Sequence, residues 1–206
     1  IRQGRLGRLL YFHVDHQSNP MSSSIDVLHW RRNKKYSGEN TMVLGIIYES
    51  ILRWIPPAKN INAVGNIFNN KALDPERNEM VNVEIPDYLL VQMEMENGMR
   101  GSFHISEVGL HTPTPTIKIY GTLGSLIIEL IPDGKLWYGT KTDDALQEVK
   151  IKSQDKGYWR VEEEFINSIR GKENVHMTTF DSGVNYMRFT QAVMDSYREG
   201  GQTKVL

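Results

Sequence analysis

At Pro56-Pro57 the apolar pattern of this chain changes period. Before the pair, Val43, Ile47, Ile51 and Trp54 recur at helical spacing, with Leu44, Tyr48, Leu52 and Ile55 beside them. So wide a stripe predicts a well-buried helix within 40–55. The prolines end it, because proline has no amide hydrogen and disfavours helix in the residue before it. After Asn60 the period is two, as in strands whose side chains alternate between faces. One helix, a run of strands and two further helices make an α+β fold. The expected form is an open, mainly antiparallel sheet with helices packed on one face. Its other face must meet water or a partner.

The strands can be read for register. In 87–106 the turn is marked by Asn97-Gly98. A two-residue loop would pair Glu96 with Met99 and set Val91 opposite His104. A three-residue loop, 96–98, pairs Met95 with Met99, Met93 with Gly101 and Val91 with Phe103. Only the second keeps apolar residues on one face, so a bulged turn with Gly98 at positive φ is predicted. Further hairpins are predicted at 121–124 and near Pro132-Asp133-Gly134, and 146–151 reads as an added edge strand. Upstream, 9–15 alternates, with Leu10, Phe12 and Val14 on one face and Leu9, Tyr11, His13 and Asp15 on the other. The polar stretch 17–24, with Pro20, reads as a loop. Near the end, 159–169 carries Val161, Phe165 and Ile169 on one stripe, and Gly171 ends it. In the last helix Asp181 is the expected N-cap. Val184, Met187 and Met194 are its expected inner face, and Gly200-Gly201 stops it.

The 206 residues suit one domain of ordinary size, with a core that needs no staple. A net charge of -1 supplies no field to hold nucleic acid or an anionic membrane, so neither partner is expected. The absence of cysteine excludes disulfides, thiolate catalysis and Cys-type metal sites, and a cytoplasmic location is expected. No apolar run is long enough to span a bilayer. The start, Ile1-Arg2-Gln3-Gly4, reads as cut from a longer chain.

Gly4-Arg5-Leu6-Gly7 and Gly121-Thr122-Leu123-Gly124 are turns. A dinucleotide loop needs a strand before it and a helix after it, and neither has both, so no cofactor-binding residues are expected here. In His13-Val14-Asp15-His16 the first and third residues share a strand face while His16 points away, so no metal site is expected. Trp30-Arg31-Arg32-Asn33-Lys34-Lys35 is a basic run with one aromatic. It is either a solvated edge or a place for the hydroxyls or phosphate of a sugar-like ligand. His104 lies within a strand and reads as structural. His111 sits beside the Pro-rich stretch 112–115 and is a candidate base.

Several of these segments share order and spacing with a known family. They are the turn Ile119-Tyr120-Gly121-Thr122-Leu123-Gly124-Ser125-Leu126, the helix end Phe165-Ile166-Asn167-Ser168-Ile169-Arg170-Gly171 and Thr179-Phe180-Asp181-Ser182-Gly183. Ala192-Val193-Met194-Asp195-Ser196 and the closing Lys204-Val205-Leu206 complete the set. Together they resemble the C-terminal domain of the Gfo/Idh/MocA oxidoreductases, the glucose–fructose oxidoreductase and inositol dehydrogenase family. The resemblance runs from Gly4 to Leu206. It implies that 1–206 is a substrate-binding and oligomerisation domain for a sugar- or cyclitol-like alcohol. NAD or NADP would sit on an N-terminal Rossmann domain absent from this chain. It also implies a homo-oligomer through the open sheet face, and substrate contacts from Trp30, Arg31, Arg32, Lys35 and Tyr48.

In that family the long helix carries Gly-x-His-x-x-Asp, the histidine acting as acid/base on the substrate hydroxyl. Here Gly45 and Arg53-Trp54 stand in frame, but the histidine position is Ile47 and the aspartate position is Ser50. Tyr48, Glu49 and His111 are the remaining candidates for proton transfer. Two readings follow: a dehydrogenase with a substitute base, or a degenerate member that binds a ligand or assembles without a redox step.

Overall fold

The computed structural model describes residues 1–19, 27–131, 134–175 and 179–206. Most of the loop read at 17–24, and Pro132-Asp133 of the third turn, lie outside these residues. The strands are β1 (Leu9–Gln17), β2 (Ala58–Asn66), β3 (Lys71–Asp74), β4 (Glu79–Asn82), β5 (Tyr88–Met95), β6 (Arg100–Ser106), β7 (Thr116–Gly121), β8 (Gly124–Glu129), β9 (Leu136–Thr140), β10 (Gln147–Glu148) and β11 (Lys204–Val205). The helices are α1 (Lys34–Ser37), α2 (Leu44–Ile51), α3 (Val161–Ile169) and α4 (Phe180–Arg198). Nine strands form one sheet in the order β10-β9-β8-β7-β1-β6-β5-β2-β11, and β3 and β4 pair separately. Within the large sheet only the β1–β6 pair is parallel.

The register of β5 and β6 follows the apolar parity. Met93 faces Gly101 and Val91 faces Phe103. Met95 and Met99 are joined by an amide-to-carbonyl bond of 2.9 Å, and Gly98 has φ 79°. The hairpins at 121–124 and between β8 and β9 form, and the edge strand at 146–151 shortens to β10. The two glycine turns clasp each other. The Leu6 carbonyl accepts from the Leu123 amide at 3.0 Å, and a methyl at Gly121 would strike that same carbonyl.

The parity of β1 differs at one point. A bulge lies between Leu9 and Tyr11, so Leu9 packs against the core and Leu10 is exposed, the reverse of the alternation. Beyond the bulge, Phe12 and Val14 are buried and Tyr11 faces out, as expected.

The core lies between the sheet and two helices. From α2, Leu44, Ile47, Tyr48 and Ile51 point inward, and helical hydrogen bonds continue to Ile55. Gly45 lets α2 close on α4, since an added Cβ would lie 3.3 Å from the Tyr186 ring. From α4, Phe189, Val193 and Met194 are fully buried. The N-terminal half of α4 corrects the sequence reading. Val184 and Met187 are exposed, because that half extends past the layer that buries Met194. Thr179, not Asp181, is the N-cap, its Oγ1 accepting from the Ser182 amide at 3.2 Å. Asp181 sits in the first turn, where a carboxylate favours the helix dipole. On α3 the predicted stripe of Val161, Phe165 and Ile169 exists but is exposed, and α3 makes no extensive contact with the sheet.

Candidate functional site

The family's proton-transfer positions lie on α2. Ile47 is in the core cluster, and Ser50 Oγ donates back to the Ile46 carbonyl at 2.9 Å, within its own helix. Isoleucine carries no titratable group, so no proton can be handed over there. The neighbours have partners within the fold. Tyr48 Oη accepts from the Ala58 amide at 2.9 Å, and its ring stacks on Phe189 with centroids 3.7 Å apart. Burial pushes the Tyr48 phenol above its ordinary range, so it holds its proton at neutral pH. The nearly buried carboxylate of Glu49 accepts two bonds from Arg53 Nη2, at 3.1 and 2.9 Å. On the outward side of α2 Ile46 is 67% exposed, with Ser50 one turn on and Arg53 and Trp54 exposed beyond the helix end.

His111 lies elsewhere, exposed at φ 53°, in the loop between β6 and β7. Gly109 and Thr112 tie that loop to β1 and its end, donating to the Ser18 and Gln17 carbonyls at 3.2 and 3.1 Å. His104 stays on the open sheet face, 3.3 Å from Asp15, while His13 Nδ1 lies 2.9 Å from Ser102 Oγ. Burial lowers the His13 pKa, with Asp15 opposing. These contacts hold β1 to β6.

The basic run divides by role. Trp30, Arg31 and Arg32 form one 3₁₀ turn, capped by His29 Nδ1, which accepts from the Arg31 amide at 3.3 Å. Trp30 is 53% exposed, and the Arg31 guanidinium lies 4.7 Å from its ring centroid. Arg32 is 4% exposed. Its Nη2 donates to the Asn69 carbonyl and lies 3.7 Å from Asp87 Oδ2. Asp87, also buried, accepts the Phe68 and Asn69 amides at 2.8 and 2.9 Å. Lys35 lies in the first turn of α1 and places its ammonium 5.2 Å from the Tyr36 ring centroid.

The structure therefore gathers Trp30, Arg31 and Arg32 and commits Tyr48 elsewhere. It also brings Glu107 to this group. Burial raises the Glu107 pKa, and Arg32 and Arg31 are near enough to pull it back down. No spacing motif singles Glu107 out. The only signal was a carboxylate directly after the buried end of a strand, Ser106.

An open, mostly antiparallel sheet with helices packed on one face is the architecture of a class of C-terminal α/β domains in oxidoreductases. The family model described as "Oxidoreductase family, C-terminal alpha/beta domain", GFO_IDH_MocA_C, matches residues 1–205, and the chain belongs to that family. No curated protein matches the sequence significantly. Among solved structures the chain is similar to a levoglucosan dehydrogenase in complex with NADH and L-sorbose. The TM-score is 0.85 at 17% identity, covering 99% of this chain and 60% of that one. It is also similar to an inositol dehydrogenase homologue complexed with NAD+ from Azotobacter vinelandii, with TM-score 0.75, 17% identity, and coverage of 100% and 60%. A third is the WlbA dehydrogenase of Bordetella pertussis in complex with NADH and UDP-GlcNAcA, with TM-score 0.68, 18% identity, and coverage of 100% and 57%. The chain spans about 60% of the length of the first of these dehydrogenases. Among the described residues no helix is long and apolar enough to cross a membrane.

Proposed function

We propose that this chain is the substrate-binding and oligomerisation domain of an NAD(P)-dependent oxidoreductase acting on a sugar- or cyclitol-like alcohol. The observation that carries the reading is the family match over residues 1–205, together with a fold shared with dehydrogenases of which this chain spans only part. In this reading the cofactor lies on a separate domain. The exposed apolar stripe of α3 and the start of α4, with Phe180 at 92% exposure, packs against that domain. When bound, the nicotinamide accepts hydride from the alcohol carbon. The residues of this chain hold and orient the substrate, and the α2 pair that would manage its hydroxyl proton is missing.

That loss favours a second reading, a family member that binds its ligand and assembles without turnover. The assay that separates them is substrate-dependent NAD(P)H formation by the longer protein, over a panel of sugars and cyclitols. General-base catalysis is worth about 10²–10⁴-fold, so turnover should fall below that of histidine-bearing relatives by that order. Turnover at their rates would show that another group takes the proton. No turnover with ligand binding retained would support the second reading.

The open sheet face gives a second expected outcome. Tyr11 stacks on Tyr120 there, with centroids 4.6 Å apart, and is half exposed. Asn60, Asn62, Gln92, Glu94 and Arg100 join Tyr11 around a shallow depression on that side. A face with both charge signs and large rings suits a second copy related by a two-fold axis. Light scattering should find a dimer or larger assembly that Tyr11→Glu dissociates. A wild-type monomer at tens of micromolar would remove this part of the proposal.

A further inference from the structure

We propose that the middle of the open sheet face, at His13, Asp15, Lys118 and His104, is an acid-sensitive contact between two copies of this chain. The proposal rests on the assembly proposed above and adds what controls it.

The placement follows from strand order. β1 is the fifth of nine strands, so four lie on each side of it. A two-fold axis that covers such a face evenly lies over β1 and sets its outward residues near their own copies. His13 is in register with Lys118 of β7 on one side and Ser102 of β6 on the other. Asp15, in the next row, is in register with Thr116 and His104. One row the other way, Tyr11 and Tyr120 stack, and Arg100 pairs with Glu94 at 3.3 Å.

A proton arriving on His13 finds no counterion in contact. Among the described residues no carboxylate is bonded to His13, whose Nδ1 faces the Ser102 hydroxyl. Asp15 is turned to other partners: it accepts from Gln17 Nε2 at 2.9 Å and lies 3.3 Å from His104 Nδ1. The nearest register partner of His13 on β7 is the cationic side chain Lys118.

The electrostatics in the single chain already lean one way. Burial, Lys118 and His104 disfavour the charged form of His13, and Asp15 offsets them only in part, so its pKa is lowered. A second copy laid on this face adds burial and brings up another imidazole and another ammonium, and each of these pushes in the same direction. The assembled form therefore binds fewer protons than two separate chains. By linkage the dissociation constant rises as pH falls through the His13 range. Because that range is lowered in the single chain, the rise begins below the ordinary histidine value.

The test is sedimentation of this chain from about pH 7.5 to about pH 5, with circular dichroism to follow the fold. The wild-type dissociation constant should steepen toward about a hundredfold per pH unit, a factor of ten for each His13 that must shed its proton. His13→Gln, neutral throughout, should assemble at neutral pH and flatten that dependence. His13→Lys, charged throughout, should assemble about a hundredfold more weakly at neutral pH, with no acid needed. If acid unfolds the chain first, the comparison of the lysine and glutamine variants at neutral pH decides. An acid response equal in wild type and His13→Gln, or a His13→Lys chain that assembles like the wild type, overturns the acid-sensitive contact and leaves the assembly standing. A wild-type chain that stays monomeric at neutral pH overturns both.

Discussion

Phe189→Ala should lower the unfolding free energy by about 3–5 kcal/mol, the range for a large aromatic lost from a packed core. Phe189 is fully buried where three elements meet. Its ring stacks on Tyr48 of α2 with an interplanar angle of 9°, and it meets Phe103 of β6 edge-on at 5.9 Å. Phe103 continues the contact to Phe12 on β1 at 6.2 Å. Truncation therefore opens a cavity between both helices and the sheet. It also frees Tyr48, whose hydroxyl holds the first amide of β2. Phe189→Leu should cost less, because it keeps more of the volume. The control is Phe180→Ala on the same helix, at an exposed position, expected within about 0.5 kcal/mol of wild type. Urea unfolding midpoints decide the matter. Equal, small effects at both positions would mean that α4 is not docked as described.

Arg32→Ala should cost a similar amount, about 3–5 kcal/mol, because it leaves a buried charge without its counterion. Asp87 is 1% exposed and cannot turn to water. Its two amide bonds organise residues 68 and 69, and Arg32 reaches the Asn69 carbonyl from the other side. Losing the guanidinium therefore loosens the segment between β2 and β3 as well as the turn bearing Trp30. Arg32→Lys should rescue only part of the loss, since the shorter ammonium keeps the charge but not the position from which Nη2 reaches both the Asn69 carbonyl and Asp87. Lys35→Ala, on the exposed end of the same basic run, should change stability by less than about 0.5 kcal/mol. The contrast separates an anchor from a ligand contact within one stretch of cations. If Arg32→Ala unfolds at the wild-type midpoint, Arg32 is not an anchor.

The sheet was legible wherever parity alone decided, as in the Met95–Met99 turn. It was misread at Leu9 and Leu10, because a bulge breaks the period and two leucines in a row do not say which one is inside. The helix stripes of α3 and α4 were found by spacing. Spacing measures amphipathicity and not what covers the apolar side, so Val184 and Met187, expected on an inner face, are open in this chain, as is the stripe of Val161 and Phe165. The cap of α4 was expected at Asp181, and the backbone places it two residues earlier, at Thr179.

The site was less legible than the fold. The frame around Gly45 and Arg53-Trp54 could be seen, as could the substitution of Ile47 for histidine. Arg32 and Arg31 look alike in sequence, and only burial against Asp87 tells them apart. Glu107 lies 75 residues after Arg32, the difference of their numbers, and their proximity depends on sheet pairing that no local pattern reports.

The central claim is a division of labour: this domain holds the alcohol, and a separate domain holds the nicotinamide. Titration of the 206-residue chain with NADH and NADPH by calorimetry tests it most directly. The account predicts no micromolar binding of either cofactor, since neither glycine turn joins a strand to a helix N-terminus. Micromolar affinity for either one would place a cofactor site inside this chain and contradict the account.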